Sequence, residues 1–205
     1  VISDMGGFIA STYKRGVDFL NVATTLLSQV DASVGGKLGI DLGGLKNQVG
    51  VFNFPQMVVI YPPFLSTLEF RQLRSGFAEV LKHALIQDAN YWEKVKNIEV
   101  TTDYDWNEII EHSVQIKNKV VLEDPTEQGL RKILNFGHTI GHAIETWHLE
   151  NDPNFFLHGE AIAIGIIAEG YLSNQKTGLS EAELNEMVDV LKRVYDLKPI
   201  SPKNF

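Results

Sequence analysis

The chain has 205 residues, 44% hydrophobic and 21% charged, which gives length and apolar content for a buried core and excludes a disordered or fibrous polypeptide. Lysine and arginine number 18 against 26 aspartates and glutamates, a formal charge of −8 that argues against nucleic acid as a partner. Cysteine is absent, which excludes a disulfide scaffold, a cysteine zinc finger, an iron–sulfur centre and thiol catalysis, and no apolar stretch approaches the ~20 residues of a membrane helix. These features predict a soluble, cytoplasmic protein with no membrane partner. The chain opens on Val1 rather than Met, so it is expected to be part of a longer protein, and Pro199 to Phe205 reads as a linker or a second truncation.

Ser3 or Asp4 suits the cap of a helix through Phe8, Ile9 and Tyr13, with Gly16 at its end. Val17 to Ala23 is a β-prone run, followed by a Thr24-Thr25 step that a helix cap would explain equally well. Leu26 to Val30 reads as helical and leads into a loop, Ser33-Val34-Gly35-Gly36-Lys37. Gln56 to Tyr61 is a compact apolar run of the buried parallel-strand kind, stopped by Pro62-Pro63. Residues 1–63 therefore alternate helix and strand. Beyond Phe64 the period becomes helical in Leu68 to Gln87, Asp105 to Leu122, Leu130 to Leu149, Glu160 to Gln175 and Ser180 to Tyr195. Asp124-Pro125 and Asp152-Pro153 mark breaks, and Ser180-x-x-Glu183 is a capping box. The predicted class is α/β plus all-α, with domains at 1–66 and 67–205.

His138 and His142 lie at i, i+4 in Asn135-Phe136-Gly137-His138-Thr139-Ile140-Gly141-His142, on one helical face. Paired imidazoles one turn apart form a metal-site geometry, and they equally suit hydrogen bonds to neighbouring carboxylates. Two glycines one turn apart make sense if something large approaches the backbone there. His158, in His158-Gly159-Glu160-Ala161, is either a ligand at a helix start or a plain capping residue. Glu79, among apolar neighbours, is either an anionic third ligand or paired with Lys82 at i+3. Two histidines and a carboxylate make up a catalytic zinc set, and composition does not choose which two histidines. Arg15, Lys37, Lys46, Lys82, Lys117 and Arg131 fall in or beside glycine-rich or polar motifs of an otherwise acidic chain. Gly35-Gly36-Lys37 and Gly43-Gly44-Leu45-Lys46-Asn47 read as loops offering N–H groups and an ammonium to an anion. Together they predict a small, highly charged substrate.

Taken in order, Asp4-Met5-x-Gly7-Phe8, Thr24-Thr25-Leu26-Leu27, Asp31-x-Ser33-Val34-Gly35-Gly36-Lys37, Arg74-x-Gly76-x-Ala78-Glu79, the run from Gly129 to His142, and His158-Gly159-Glu160-Ala161 resemble the motifs of the 3-dehydroquinate synthase family. The resemblance runs from residue 1 to about residue 175. It implies a Rossmann-like amino-terminal domain, partial here, and a helical carboxy-terminal domain with the active site in the cleft between them. It further implies NAD and a divalent metal, zinc or cobalt, as cofactors. By this resemblance Glu79, His138 and His158 are metal ligands and His142 contacts substrate. Asp4, Thr24, Thr25, Lys37, Lys46, Phe64 and Thr67 line NAD. Arg15, Asp31, Asn47, Lys82, Lys117, Glu127, Arg131 and Asn135 bind the substrate's carboxylate, hydroxyls or phosphate.

The implied reaction converts 3-deoxy-D-arabino-heptulosonate 7-phosphate, a sugar-acid phosphate, to 3-dehydroquinate and phosphate through transient NAD oxidation, phosphate elimination, re-reduction and aldol closure. It belongs to the shikimate route to aromatic amino acids. The family also implies a homodimer, with Arg15 reaching the partner's site. Ser3, Gly6 and Ala84 depart from the family's usual residues, and its glycine-rich turn before this segment and its closing portion are not in the chain. The expectation is therefore a metal site and most of a substrate site, but part of an NAD site, with poor turnover by the isolated polypeptide. The rivals are another sugar-phosphate cyclase, a metal-dependent polyol dehydrogenase of the same superfamily, and an inactive fragment.

Overall fold

The computed structural model describes residues 2–43, 45–152 and 154–197, the side chains of residues 45 and 46 excepted. Two compact units are present, Val1–Leu134 and Asn135–Phe205. The stretch from Pro199 to Phe205, read as a linker or a second truncation, lies outside the described residues.

The first unit opens with α1 (Ile2–Thr12), continued by a 3₁₀ turn over Tyr13–Arg15 and closed by Gly16. Next comes β1 (Leu20–Ala23), shorter than the β-prone run, and a helical turn that widens to π geometry over Ser28–Ala32. The segment 37–52, expected to present anion-binding loops, is instead an antiparallel hairpin of β2 (Lys37–Leu42) and β3 (Leu45–Phe52). Lys37 pairs with Phe52 and Leu42 with Leu45, and Gly43 leaves β2 at φ +60, a left-handed conformation that glycine adopts freely. Lys37, Lys46 and Asn47 are thus strand residues.

β4 (Met57–Ile60) falls within the apolar run before the two prolines and runs parallel to β1, with Leu20 opposite Met57 and Ala23 opposite Ile60. Alternation along β1 buries Asn21 and Ala23 and leaves Leu20 and Val22 exposed, as are Met57 and Val59 of β4. Gln29, fully buried, donates through Nε2 to the carbonyls of Ala23 at 3.2 Å and Tyr61 at 3.1 Å. It thereby ties together the carboxyl ends of the two strands.

A 3₁₀ segment, Pro62–Thr67, leads to α2 (Phe70–Gln87), then α3 (Ala89–Val95) and α4 (Asn107–Glu123). Leu73, Phe77, Val80 and Leu81 of α2, Tyr91 and Val95 of α3, and Ile109 and Val120 of α4 form the core with Trp106. α3 was not expected; seven residues are too few for an apolar period to show. A 3₁₀ turn over Leu130–Asn135 replaces the start of the helix predicted over Leu130 to Leu149.

The second unit contains α5 (His138–Asn151), α6 (His158–Lys176) and α7 (Glu181–Tyr195). The predicted capping box starts α7: the Ser180 hydroxyl accepts from the Glu183 N–H at 3.2 Å and the Glu183 carboxylate accepts from the Ser180 N–H at 2.9 Å. α5 and α6 meet backbone to backbone. A Cβ on Gly165 would run into the Gly137 carbonyl and lie 2.8 Å from the Gly141 nitrogen. The large body that the glycine pair admits is therefore the neighbouring helix. Gly137 itself precedes α5, at φ +79, its N–H donated to the Glu169 carboxylate at 2.8 Å. Because backbone cannot yield as a side chain can, Gly165→Ala is expected to cost about 1–3 kcal/mol in urea unfolding; unchanged stability would contradict this packing. No helix is long and apolar enough to cross a membrane among the described residues.

Candidate functional site

In the first unit the chemistry gathers around Asp31. Gly76 of α2 packs against the Leu26-Leu27 backbone so closely that a Cβ would lie 3.0 Å from the Leu26 carbonyl carbon and nearer still to the Leu27 nitrogen. Glu79 and His83, three and seven residues further on, share that helical face and so meet the π turn that carries Asp31. Nε2 of His83 donates to Asp31 Oδ1 at 3.2 Å. Lys82 Nζ is 3.6 Å from the same oxygen and ion-paired with Glu79. Lys117, from α4, reaches Asp31 Oδ2 at 2.9 Å and donates to the Asp31 main-chain carbonyl at 2.6 Å.

These groups set one another's charge. Burial pushes the Asp31 carboxyl up, but the Lys117 and Lys82 ammoniums outweigh it and hold Asp31 well below the usual carboxylate range. Burial also pushes both lysines down. Lys82 ends above its ordinary value because Asp31 and Glu79 both stabilise it, whereas Lys117 ends below because Asp31 acts on it against burial and the Lys82 charge. Burial, the leading cause, lowers His83, so it donates to Asp31 as a neutral imidazole. Glu79 is fully buried and paired with Lys82, as one of its two sequence readings has it. Asp31, Glu79 and His83 bring ligand atoms within 4.8 Å of one another, yet two ammoniums already serve this cluster.

Arg131, in the 3₁₀ turn after α4, is buried and spends its guanidinium on the main chain, with Nη1 to the Pro125 carbonyl and Nη2 to the Gly35 carbonyl, each at 2.7 Å. Lys37 is ion-paired with Glu127, a loop residue at φ +61. Asn47 is exposed at φ +54 and donates its N–H to Asp41 Oδ1 at 2.8 Å. Arg15 is exposed at φ +71, Asp4 sits half-buried in the first turn of α1, and Asn135 ends the 3₁₀ turn, exposed. Lys46 is placed in β3 by its backbone, and its side chain lies outside what is described.

Thr24 and Thr25 follow β1, while Phe64 and Thr67 follow β4. All four therefore lie beyond the carboxyl ends of two parallel neighbours, the end where ligands settle on α/β sheets. Thr25 does cap the next turn, accepting the Ser28 N–H at 3.2 Å on Oγ1 while its own N–H donates to Ser28 Oγ at 3.1 Å. One wall of a dinucleotide site fits there.

In the second unit, His138 and His142 share the first turns of α5 and His158 is the first residue of α6. Their ring centroids lie 5.1 to 5.7 Å apart, and one donor atom from each falls within 4.8 Å of the other two. His138 Nδ1 donates to the Phe136 carbonyl at 3.1 Å and His158 Nδ1 donates to Glu145 Oε2 at 3.2 Å, so Nε2 is the nitrogen each neutral ring would offer a cation. The Glu160 carboxylate accepts the Leu157 N–H at 2.8 Å and fixes the start of α6. Three converging imidazoles suit a zinc- or cobalt-class cation. The three rings converge, and the carboxylate hydrogen bond is made by His158. His83, Glu145 and Gln29 were missed; the helical spacing of Glu79 to His83 and of His142 to Glu145 carried the only signal.

The sequence matches the family description "3-dehydroquinate synthase N-terminal" over residues 1–75 and "3-dehydroquinate synthase C-terminal" over residues 76–203. It is 46% identical over 198 residues to the 3-dehydroquinate synthase of Parabacteroides distasonis, covering 95% of this chain and 56% of that protein. To that of Sulfurovum sp. it is 42% identical over 193 residues, covering 94% and 54%. The chain thus spans about half the length of the curated relatives it matches. Among solved structures, 2-epi-5-epi-valiolone synthase from Streptomyces hygroscopicus subsp. jinggangensis, with NAD+ and Zn2+ bound, superposes with TM-score 0.81 at 30% identity, covering 98% of this chain and 56% of that one. A 2-deoxy-scyllo-inosose synthase complexed with carbaglucose-6-phosphate, NAD+ and Co2+ gives TM-score 0.80 at 28% identity, covering 97% and 55%. Fold, motif order and both halves of the sequence agree: the chain belongs to the 3-dehydroquinate synthase family.

Proposed function

We propose that this chain supplies the metal site, most of the substrate site and part of the NAD site of a cytoplasmic, homodimeric 3-dehydroquinate synthase acting on 3-deoxy-D-arabino-heptulosonate 7-phosphate. Residues 1–66 serve the dinucleotide and lend Arg15, Asp31 and Asn47 to the substrate, and residues 67–205 serve the metal and the rest of the substrate. The observation that carries the reading is the convergence of His138, His142 and His158, in a chain 46% identical to a bacterial 3-dehydroquinate synthase. Bound NAD would supply reversible oxidation of a substrate carbinol, and a divalent metal held by Glu79, His138 and His158 would polarise neighbouring hydroxyls. Lys82 and Lys117 are held by Asp31 before any substrate arrives, a preorganised positive field for a carboxylate or phosphate. With the charge of Glu79 committed to a metal, two ammoniums face one aspartate and the cluster is left net positive. That favours an acidic sugar phosphate over a neutral polyol. Arg131 supports this arrangement through the Gly35 carbonyl, and Asn135, Asn47, Glu127, Arg15 and His142 are assigned to substrate.

The test is an assay of the purified protein with NAD, Zn2+ and the seven-carbon sugar-acid phosphate, reading inorganic phosphate and 3-dehydroquinate. Phosphate release matched by product, with no net NADH, is expected. Stoichiometric NADH without phosphate would mark a polyol dehydrogenase, and turnover confined to a sugar phosphate lacking the carboxylate would mark another cyclase. Either outcome overturns the assignment.

A further inference from the structure

We infer that Glu145 is a positioning residue for the metal centre, holding His158 by a carboxylate hydrogen bond so that its Nε2 is oriented and made a stronger donor. The inference rests on the reading of His158 as a metal ligand. Glu145 lies on α5, three residues after His142, and its carboxylate meets the first residue of α6 across the close helix–helix contact. The residue is 7% exposed, and its Oε2 is 3.2 Å from His158 Nδ1. Burying a carboxylate costs several kcal/mol unless its charge is used. A cation drawing electron density from the imidazole makes Nδ1–H a better donor, so the two interactions strengthen each other.

The comparison with His138 sharpens the point. His138 Nδ1 donates to a neutral main-chain carbonyl, that of Phe136, whereas His158 is backed by a carboxylate. Of the two imidazoles proposed as ligands, His158 is the one whose Nδ1 meets the Glu145 carboxylate, so Glu145 acts on the metal centre through it. The glycine contact between α5 and α6 serves the same end, because it sets the depth at which a side chain of α5 meets the start of α6.

The experiment strips the purified protein with a chelator and titrates it with Zn2+ by competition and with Co2+ by its visible absorption. Parent, E145Q, E145A and H158A are compared, each with metal-free thermal unfolding. Zn2+ affinity is expected to fall about 10–100-fold in E145A, with E145Q between it and the parent because the amide oxygen still accepts from Nδ1 but carries no charge. The Co2+ spectrum changes in the same order. Should E145A not fold, E145Q carries the test, with its metal-free unfolding expected at the parent's temperature. Zn2+ binding by E145Q and E145A that differs from the parent by less than about twofold, against the range usual for outer-shell partners, overturns the inference if H158A loses the metal. If H158A also binds as the parent does, the metal-site reading itself fails and the inference falls with it.

Discussion

Asp31→Asn will destabilise the first unit by about 3–5 kcal/mol, the range for removing one partner of a buried charge pair. In a chain of this size that lowers the thermal midpoint by on the order of 10 °C. The side chains of Lys82 and Lys117 are only 2% and 8% exposed, and Asp31 is the carboxylate that both approach. Asparagine keeps the shape and an acceptor for His83 but leaves the Lys117 ammonium buried with no carboxylate within ion-pairing distance among those around Asp31. Lys82 retains Glu79. The companion D31N/K117M variant removes the stranded charge and is expected to recover about 1–3 kcal/mol through the coupling between the sites. Urea unfolding measures both, and an additive double variant would contradict a shared cluster. The pH dependence has a definite sign. Asp31 is held below its unfolded value near 3.9, so its contribution is fully present above about pH 4 and is lost as pH falls through the lower folded value. Acid unfolding of the parent is therefore expected to be steeper than that of D31N.

His158→Ala and His138→Ala will each weaken Zn2+ binding by more than the ~10–100-fold typical of outer-shell partners, because each removes a donor rather than its support. Turnover in the assay above is expected to fall by about 10³-fold or more, since metal polarisation is worth several kcal/mol. His142→Gln separates the roles within the same trio. Its ring lies 5.1 Å from His138 and 5.7 Å from His158, and as a substrate contact it is expected to leave Zn2+ affinity near the parent's while lowering kcat/KM. Loss of metal in H142Q with retention in H158A would exchange the two assignments.

Much of this was legible in the residues. The helical period of 70–87 and 107–123, the Ser180 cap and the apolar run at 57–60 are local signals that tertiary structure left in place. The hairpin at 37–52 was not. Its glycine pairs lower β-propensity and, beside lysine, read as anion loops, although Gly-Gly between two alternating runs is also a hairpin turn. The pair His138 and His142 was visible at i, i+4, whereas the third imidazole sits 16 residues beyond His142, past a break no spacing rule spans. Arg131 shows the limit most plainly. Its position beside a glycine motif suggested an anion ligand, but the acceptors it uses, at Pro125 and Gly35, are main-chain carbonyls with no sequence signature. Asp31 and Lys117, 86 residues apart, are joined only by folding.

Anomalous diffraction at the zinc edge, from crystals of the protein grown with Zn2+, tests the central claim most directly. The account predicts one strong peak at about 2.0–2.2 Å from Nε2 of His138, Nε2 of His158 and a carboxylate oxygen of Glu79, with His142 outside the coordination sphere. A peak held by His138 and His142, with Glu79 still bound to Lys82, would contradict it.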